Sequence, residues 1–220
     1  MNLQKILSAL YFSLMILDGL AIVYPNIIAR QYITYLPLPV LMLLYFFSMK
    51  KINWNYTFAL MATFVGIIFF KTVSYYKMAL VFYTIGTLLY VMMTLKSTVE
   101  ISIKTIFKAA IPFLFVYLVP LFSYYDVIKM DIFNYILAYV FSVGLLFFIS
   151  VLIYVHKRTK ANLWLLISGI VFAISTIING YYLFKNQLIT IRVCVIFAFL
   201  FMHYAMYRHV IFQEREGNAS

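Results

Sequence analysis

An all-α fold that crosses a membrane several times is predicted by three features of this sequence. Hydrophobic residues make up 66% of the chain and charged residues only 10%, whereas about a quarter of the residues in a soluble domain are charged. Apolar runs of about 20 residues recur from one end to the other, and a helix of that length crosses a bilayer. The polar/apolar alternation of barrel strands is absent from the sequence. We therefore expect residues 1–220 to form a single transmembrane domain.

These runs predict eight transmembrane helices. Pro37 and Pro39 lie in the first half of the second helix, and Pro112 and Pro120 lie in the fifth. Because each proline removes a backbone donor, we expect both of these helices to be kinked. The predicted helices cover about residues 4–24, 32–49, 56–70, 77–95, 106–124, 131–155, 161–184 and 188–209.

The third and fourth helices are predicted to form a hairpin, since only a short basic break joins them. Small and polar residues are few within these two apolar runs. Such residues are the natural candidates to line a space between helices. They are Thr63, Gly66, Thr84, Gly86, Thr87 and Tyr90.

The net charge of +11 is assigned to membrane topology, and no nucleic-acid partner is expected. The 17 basic residues lie mostly in the breaks between apolar runs, where such residues anchor to headgroups and set orientation. One side of the predicted bundle collects eleven of them, and the positive-inside rule makes that side cytoplasmic. Both termini are then cytoplasmic, and we expect a bacterial inner membrane. The eleven are Lys5, Lys50, Lys51, Lys96, Lys104, Lys108, Lys157, Arg158, Lys160, Arg208 and Arg215.

Ionisable side chains within a bilayer are costly and therefore indicate candidate sites. Asp18 precedes the predicted outer end of the first helix by about six residues, and Arg192 lies about four residues into the last helix from the same side. Asn179 shares this level. The sequence thus predicts an outer-leaflet polar cluster in which Asp18 pairs with Arg192. In the alternative arrangement, Arg192 reaches the headgroups and Asp18 binds backbone or water.

His203 is expected to be hydrogen-bonded within the bundle, and the sequence names no partner that would make it a general base. The histidines at 156, 203 and 209 lack tight ligand spacing, so no metal site is predicted. No cofactor is expected either. Ser175 and Tyr90 are expected to form interhelical hydrogen bonds. The sequence contains no glycine-rich phosphate loop, GxSxG or HExxH motif.

Five short motifs follow one another between residue 35 and about residue 205. They read Tyr35-Leu36-Pro37-Leu38-Pro39, Ala62-Thr63-Phe64-Val65-Gly66-Ile67, Thr87-Leu88-Leu89-Tyr90, Phe172-Ala173-Ile174-Ser175-Thr176 and Phe199-Leu200-Phe201-Met202-His203. In order and spacing the chain resembles the YhhN family of multi-helix membrane proteins. That family includes the lysoplasmalogenases, which hydrolyse the vinyl-ether bond of lysoplasmalogen. Its corresponding motifs are Lys-Pro-Leu, a small-residue run ending in Gly-Asp, His-Leu-Leu-Tyr, Phe-x-x-Ser-Asp and an aromatic segment with Gln or His.

The resemblance implies a shared scaffold, but this chain departs from the family at the positions expected to carry the chemistry. Gly66, Tyr90, Ser175 and His203 match family positions. The acidic positions expected to carry the hydrolysis are Ile67 and Thr176 here. The lysine of the second helix is Leu36, and the histidine before Leu-Leu-Tyr is Thr87. Protonating a vinyl ether and activating water both need a titratable group, which these side chains do not supply.

Three functions are open at this point. The first is a membrane protein without catalysis that binds membrane lipid, lysophospholipid being one candidate, or a partner helix. The second is a lysoplasmalogenase-type hydrolase, as the resemblance implies. The third is a small-solute transporter or channel subunit, although ion-coupled transporters usually carry several midplane carboxylates or a repeated topology. The candidate residues for a cavity or polar cluster are Gly66, Thr87, Tyr90, Ser175, Thr176, His203, Asp18, Asn179 and Arg192.

Overall fold

The fold was obtained as a computed structural model that describes residues 3–71, 75–95 and 103–217, and the side chains of all of these except 103–105, 108 and 217. Of the predicted cytoplasmic lysines, Lys96 and the side chains of Lys104 and Lys108 lie outside this description. The described residues form helices and no strand. The helices are α1 (Leu3–Val23), α2 (Arg30–Ile33), α3 (Pro37–Ser48), α4 (Trp54–Phe70), α5 (Tyr76–Leu95), α6 (Ile103–Tyr124), α7 (Met130–His156), α8 (Lys160–Phe184) and α9 (Ile189–Gly217).

Six stretches of the described chain are long and apolar enough to cross a membrane, which makes this an all-α integral membrane protein. Two further apolar helices, Trp54–Phe70 and Ala109–Tyr124, are shorter. The count of eight crossings and the cytoplasmic termini therefore remain predictions. The six stretches are Leu3–Val23, Arg30–Ser48, Tyr76–Leu95, Met130–His156, Lys160–Phe184 and Ile189–Glu216.

The second predicted helix is interrupted and not merely kinked. Helix α2 ends at Ile33, and α3 begins only at Pro37. Pro37 and Pro39 lack the amide hydrogens that would bond to the carbonyls of Ile33 and Tyr35, and the loss of two neighbouring bonds favours a break at this point. Proline is tolerated in a first helical turn, where the amides have no intrahelical partner. The prolines of the fifth predicted segment act differently, since α6 continues through both of them.

Helix α9 continues eight residues past the predicted end at residue 209 and reaches Gly217. Its final turns are tied to neighbouring loops. The carboxylate of Glu214 accepts hydrogen bonds from the backbone amides of Lys50 and Lys51 at 3.2 and 3.0 Å. Glu216 accepts one from the amide of Ala161 at 3.2 Å. These contacts hold together three chain segments at the end of the bundle where α9 finishes.

Tyrosines from four helices meet in the buried core. Tyr11, Tyr45, Tyr56 and Tyr90 are each at most 1% exposed. The ring centroids of Tyr45 and Tyr56 are 4.6 Å apart, and those of Tyr56 and Tyr90 are 5.9 Å apart. The Tyr11 hydroxyl donates to the carbonyl of Leu200 at 2.6 Å. Aromatic pairs at such distances add about 0.5–1.5 kcal/mol beyond their burial, so this core ties α1, α3, α4 and α5 to one another and to α9.

Helices α4 and α5 approach closely through small residues. A Cβ atom added to Gly86 would lie 2.9 Å from Thr63 Oγ1 and 3.0 Å from the carbonyl oxygen of Ala59. The hydroxyls of Thr63 and Thr87 donate to carbonyls one turn earlier in their own helices, at 2.9 and 2.8 Å. Small residues and internally satisfied hydroxyls are what close packing of helices in lipid requires.

Replacing Gly86 by leucine is expected to destabilise the protein by about 1–3 kcal/mol, the usual cost of overpacking. The reason is that the Ala59 carbonyl is backbone and cannot move aside as a side chain would. The measurement is the melting temperature of purified protein in detergent. The control is Ile85→Phe, because Ile85 is 42% exposed and should tolerate a larger side chain. An unchanged melting temperature for Gly86→Leu would contradict the close approach.

Candidate functional site

A cavity of about 450 Å³ lies at the end of the bundle where α9 begins. Its walls are formed by the last turns of α1, α4 and α8 and by the first turns of α5, α7 and α9, together with α2 and the residue that follows it. The walls are mostly apolar. Small-molecule sites in proteins are typically about 300–1,000 Å³ and have this character, so the cavity is large enough to hold a ligand.

One face of α8 supplies the polar part of the wall. Ser175, Thr176 and Asn179 line the cavity from this face. The Ser175 hydroxyl donates to the carbonyl of Val195 on α9 at 3.3 Å. The Thr176 hydroxyl is buried and forms no hydrogen bond of ordinary length with a described residue, although the phenol of Tyr139 lies beside it. Thr176 therefore offers a ligand a polar contact on this face of α8.

The ion pair at the rim of the cavity is not the predicted one. The Asp18 carboxylate is buried and accepts hydrogen bonds from Arg30 Nε and Thr34 Oγ1, both at 2.9 Å. The prediction that Asp18 pairs with Arg192 is therefore wrong. The reason lies in the path of the chain after α1, because a turn at residues 24–28 returns the backbone over the helix end and brings Arg30 beside Asp18.

Arg192 does line the same cavity, as does Lys71, which follows α4. Neither basic group forms an ion pair with a carboxylate in the described part of the chain. The Arg192 guanidinium lies 6.0 Å from the ring centroid of Tyr182. Lys71 Nζ lies 4.2 Å from the ring centroid of Tyr35 and 3.4 Å from the carbonyl oxygen of Gln31, to which it donates. Aromatic rings and a carbonyl thus position these cations without neutralising them.

Lys71 interacts electrostatically with the other charged groups of the rim. Partial burial lowers the pKa of the Lys71 ammonium from its ordinary value, and the guanidiniums of Arg30 and Arg192 lower it further. The Asp18 carboxylate acts in the opposite direction and raises this pKa. Burial is the largest cause of the lowered pKa, and the Asp18 carboxylate offsets only part of the combined effect of burial and the two guanidiniums.

Two of the positions that depart from the YhhN motifs meet in this cavity. Ile67 and Thr176 both line it, and each is 8% exposed. These are the positions at which the resemblance expects the hydrolytic acids. Thr87 is buried on α5 and is not among the lining residues, and its hydroxyl donates to the carbonyl of Tyr83. Leu36 is 46% exposed just before α3.

Three other predicted site residues lie behind the wall and are not among its lining residues. A Cβ atom on Gly66 would lie 2.6 Å from the ring of Tyr83, which does line the cavity. The Tyr90 hydroxyl and His203 Nδ1 are 2.9 Å apart in the core. The ring of Phe199 lines the cavity and meets the His203 imidazole edge-on, with centroids 4.7 Å apart. Phe199 therefore covers the imidazole on the side facing the cavity.

The Tyr90–His203 contact joins α5 to α9, and the Ser175 contact joins α8 to α9, so both are interhelical. His203 Nε2 forms no hydrogen bond with a described residue. His209 Nδ1 lies 2.9 Å from the Ala161 carbonyl, and since a carbonyl only accepts, that nitrogen carries the hydrogen. Among the described residues, no group of three or more His, Cys, Asp or Glu side chains is arranged to hold a metal ion.

Arg30 and Lys71 are site residues that sequence reasoning assigned to topology alone. The only signal for them was their position in short breaks at the level of Asp18. The aromatic wall residues Tyr83 and Tyr139 gave no signal, because they stand within apolar runs where aromatic residues are common.

Comparison with protein-family models, with curated proteins and with solved structures finds no match to this chain. The resemblance to the YhhN family is therefore still a prediction. The function has to be inferred from the cavity itself.

Asp18→Asn is expected to destabilise the protein by about 1–3 kcal/mol, because it leaves the partly buried Arg30 without its counter-charge. Asp131→Asn is the matched control. Asp131 pairs with Lys77 at 3.1 Å, but the two side chains are 61% and 44% exposed, so that change should cost less than about 1 kcal/mol. Melting temperatures in detergent compare the two variants. Equal losses would show that the Asp18 pair contributes no more than a surface contact.

Proposed function

We propose that this protein spans the membrane eight times and binds a lipid in the cavity near the start of α9. The observation that carries the proposal is the division of the cavity into apolar walls and a charged rim. A membrane lipid has the same division between chain and headgroup. The position of the cavity at one end of the helices suits a ligand whose headgroup stays at the membrane surface.

Helix lengths support the proposal of eight crossings. Helix α6 has 22 residues in all, which corresponds to about 33 Å and suffices to cross the hydrocarbon region. Helix α4 has 17 residues, or about 26 Å, and a thinner local bilayer accommodates a span of that length. With eight crossings, the positive-inside rule places both termini in the cytoplasm of a bacterial inner membrane. The cavity then opens toward the outer leaflet.

We further propose that the chain is a YhhN-like protein in which lipid binding is kept and hydrolysis is lost. The convergence of Ile67 and Thr176 on one cavity supports this, since those are the expected acidic positions. Neither an isoleucine nor a threonine side chain titrates near neutral pH, so neither can act as the general acid or base. His203, the histidine that matches the motifs, is not among the lining residues and packs against Phe199, which is.

Lipid binding is tested by narrowing the cavity. Ile67→Phe is expected to reduce the lipid that copurifies with the protein, as measured by native mass spectrometry, because the larger ring occupies the cavity. Ile68→Phe is the matched control, since Ile68 is the next residue, points about 100° away around α4 and is 43% exposed. Val195→Phe, at a partly exposed wall position, provides a second test if Ile67→Phe does not fold. Unchanged lipid in both wall variants would contradict the proposal.

Hydrolysis is tested with lysoplasmalogen as substrate and aldehyde release as the readout. The protein as it stands is expected to release no aldehyde. Release by the natural sequence would favour the hydrolase alternative. Gain of release in the double variant Ile67→Asp/Thr176→Asp would support kinship with the YhhN family.

The topology is tested with a reporter that is active only in the cytoplasm. Fused after the last residue, the reporter is expected to be active. Inserted into the loop at residues 125–129, between α6 and α7, it is expected to be inactive. Activity in the loop and none at the C-terminus would reverse the orientation.

A further inference from the structure

The rim of the cavity holds more positive than negative charge. Its lining residues include three basic side chains, Arg30, Lys71 and Arg192, and one carboxylate, Asp18. The group has a net charge of +2 when all four are ionised. Lys71 and Arg192 are both exposed, so solvent weakens the repulsion among these like charges but does not remove it. An anion bound among them would relieve that repulsion.

The available cations are Lys71 and Arg192. Arg30 is already paired with Asp18 at 2.9 Å, and this pair uses the one carboxylate of the rim. Lys71 lies over the ring of Tyr35, and Arg192 lies near that of Tyr182. These ring contacts restrict where the cations can go, yet they supply no negative charge. Two basic groups from α9 and from the end of α4 are thus held at one rim without a counter-ion from the described chain.

An apolar wall continues inward from these two cations. Along α9, eight residues separate Arg192 from Leu200, both of which line the cavity, and this corresponds to a depth of about 12 Å. Leu80 and Ile136 line it from α5 and α7. The volume of about 450 Å³ lies in the lower half of the range for ligand sites, which suits a ligand with one apolar chain better than a ligand with two.

Building on the lipid-binding function proposed above, we propose that the ligand is a single-chain amphiphile with an anionic phosphate or carboxylate headgroup. Lys71 and Arg192 pair with the headgroup, and the chain lies along α9 toward Leu200. Charge-assisted hydrogen bonds from two cations to one anionic group are among the strongest polar contacts that proteins make. The headgroup would then restore the charge balance that Asp18 alone does not provide.

Basic residues at a membrane surface also attract ordinary anionic headgroups without forming a site. Lys129 allows the two effects to be separated. It precedes α7 at the same end of the bundle and is not among the residues that line the cavity. If only general attraction operates, removing the charge of Lys129 should matter as much as removing that of Lys71.

The experiment measures binding of two single-chain probes with the same acyl chain, lysophosphatidic acid and the uncharged monoacylglycerol. The full-length protein is held in nanodiscs of zwitterionic phospholipid. Lysophosphatidic acid is expected to bind roughly tenfold more tightly, since a hydrogen bond to a charged group contributes about that factor. Lys71→Met and Arg192→Met should each remove most of this preference, by weakening lysophosphatidic acid binding far more than monoacylglycerol binding. Lys71→Arg should restore it, and Lys129→Met should have no effect.

The outcomes separate the headgroup from the lipid-binding function. Equal affinity for the two probes, or equal effects of Lys71→Met and Lys129→Met, would overturn the proposal of an anionic headgroup. Lipid binding would still be supported in that case if Ile67→Phe abolished the binding of both probes. If neither probe binds, the lipid-binding function itself fails. Inorganic phosphate that binds as tightly as lysophosphatidic acid, and is lost in Lys71→Met, would show a site for free anions instead. The two-probe comparison needs no variant and stays decisive if a variant does not fold.

Discussion

The ion pair between Asp18 and Arg30 determines how charge is distributed at the cavity. It joins the one carboxylate among the lining residues to one of their three cations. In a region of low dielectric, a charge without a partner is costly, so the partner of Asp18 decides which basic groups remain for a ligand. The pair also fixes the segment after α1 against the helix it leaves. The rim of the cavity keeps its shape because this segment is held in place.

Much of the fold could be predicted from the sequence because lipid leaves few choices. A backbone in hydrocarbon must satisfy its own hydrogen bonds, so long apolar runs become helices. Their bounds follow from the basic and aromatic residues between the runs. The break between α2 and α3 was harder to predict, since one proline only kinks a helix in many membrane proteins. Here Pro37 and Pro39 remove two of the backbone hydrogen bonds that would join α2 to α3, and the helix is interrupted.

The site was less predictable than the fold, for two physical reasons. Arg30, Lys71 and Arg192 all lie at the depth of Asp18, and only the path of the loop after α1 selects Arg30 as the partner. In addition, the small residues of the α4–α5 hairpin suggested a space between helices, whereas Gly86 lets the two helices touch. In a sequence, small residues look the same whether they let two helices touch or line a cavity between them. The cavity instead lies where helix ends diverge, and large residues such as Tyr139 line it.

Helix α9 reaches both charged ends of the molecule. Arg192 stands at the cavity in its first turn, and Glu214 binds the amides of Lys50 and Lys51 near its last turn. The 22 residues between them correspond to about 33 Å of helix. A helix resists compression along its axis, so any axial displacement of Arg192 is carried along α9 to Glu214. The cavity wall and the loop at Lys50 and Lys51 are thereby joined by one continuous helix.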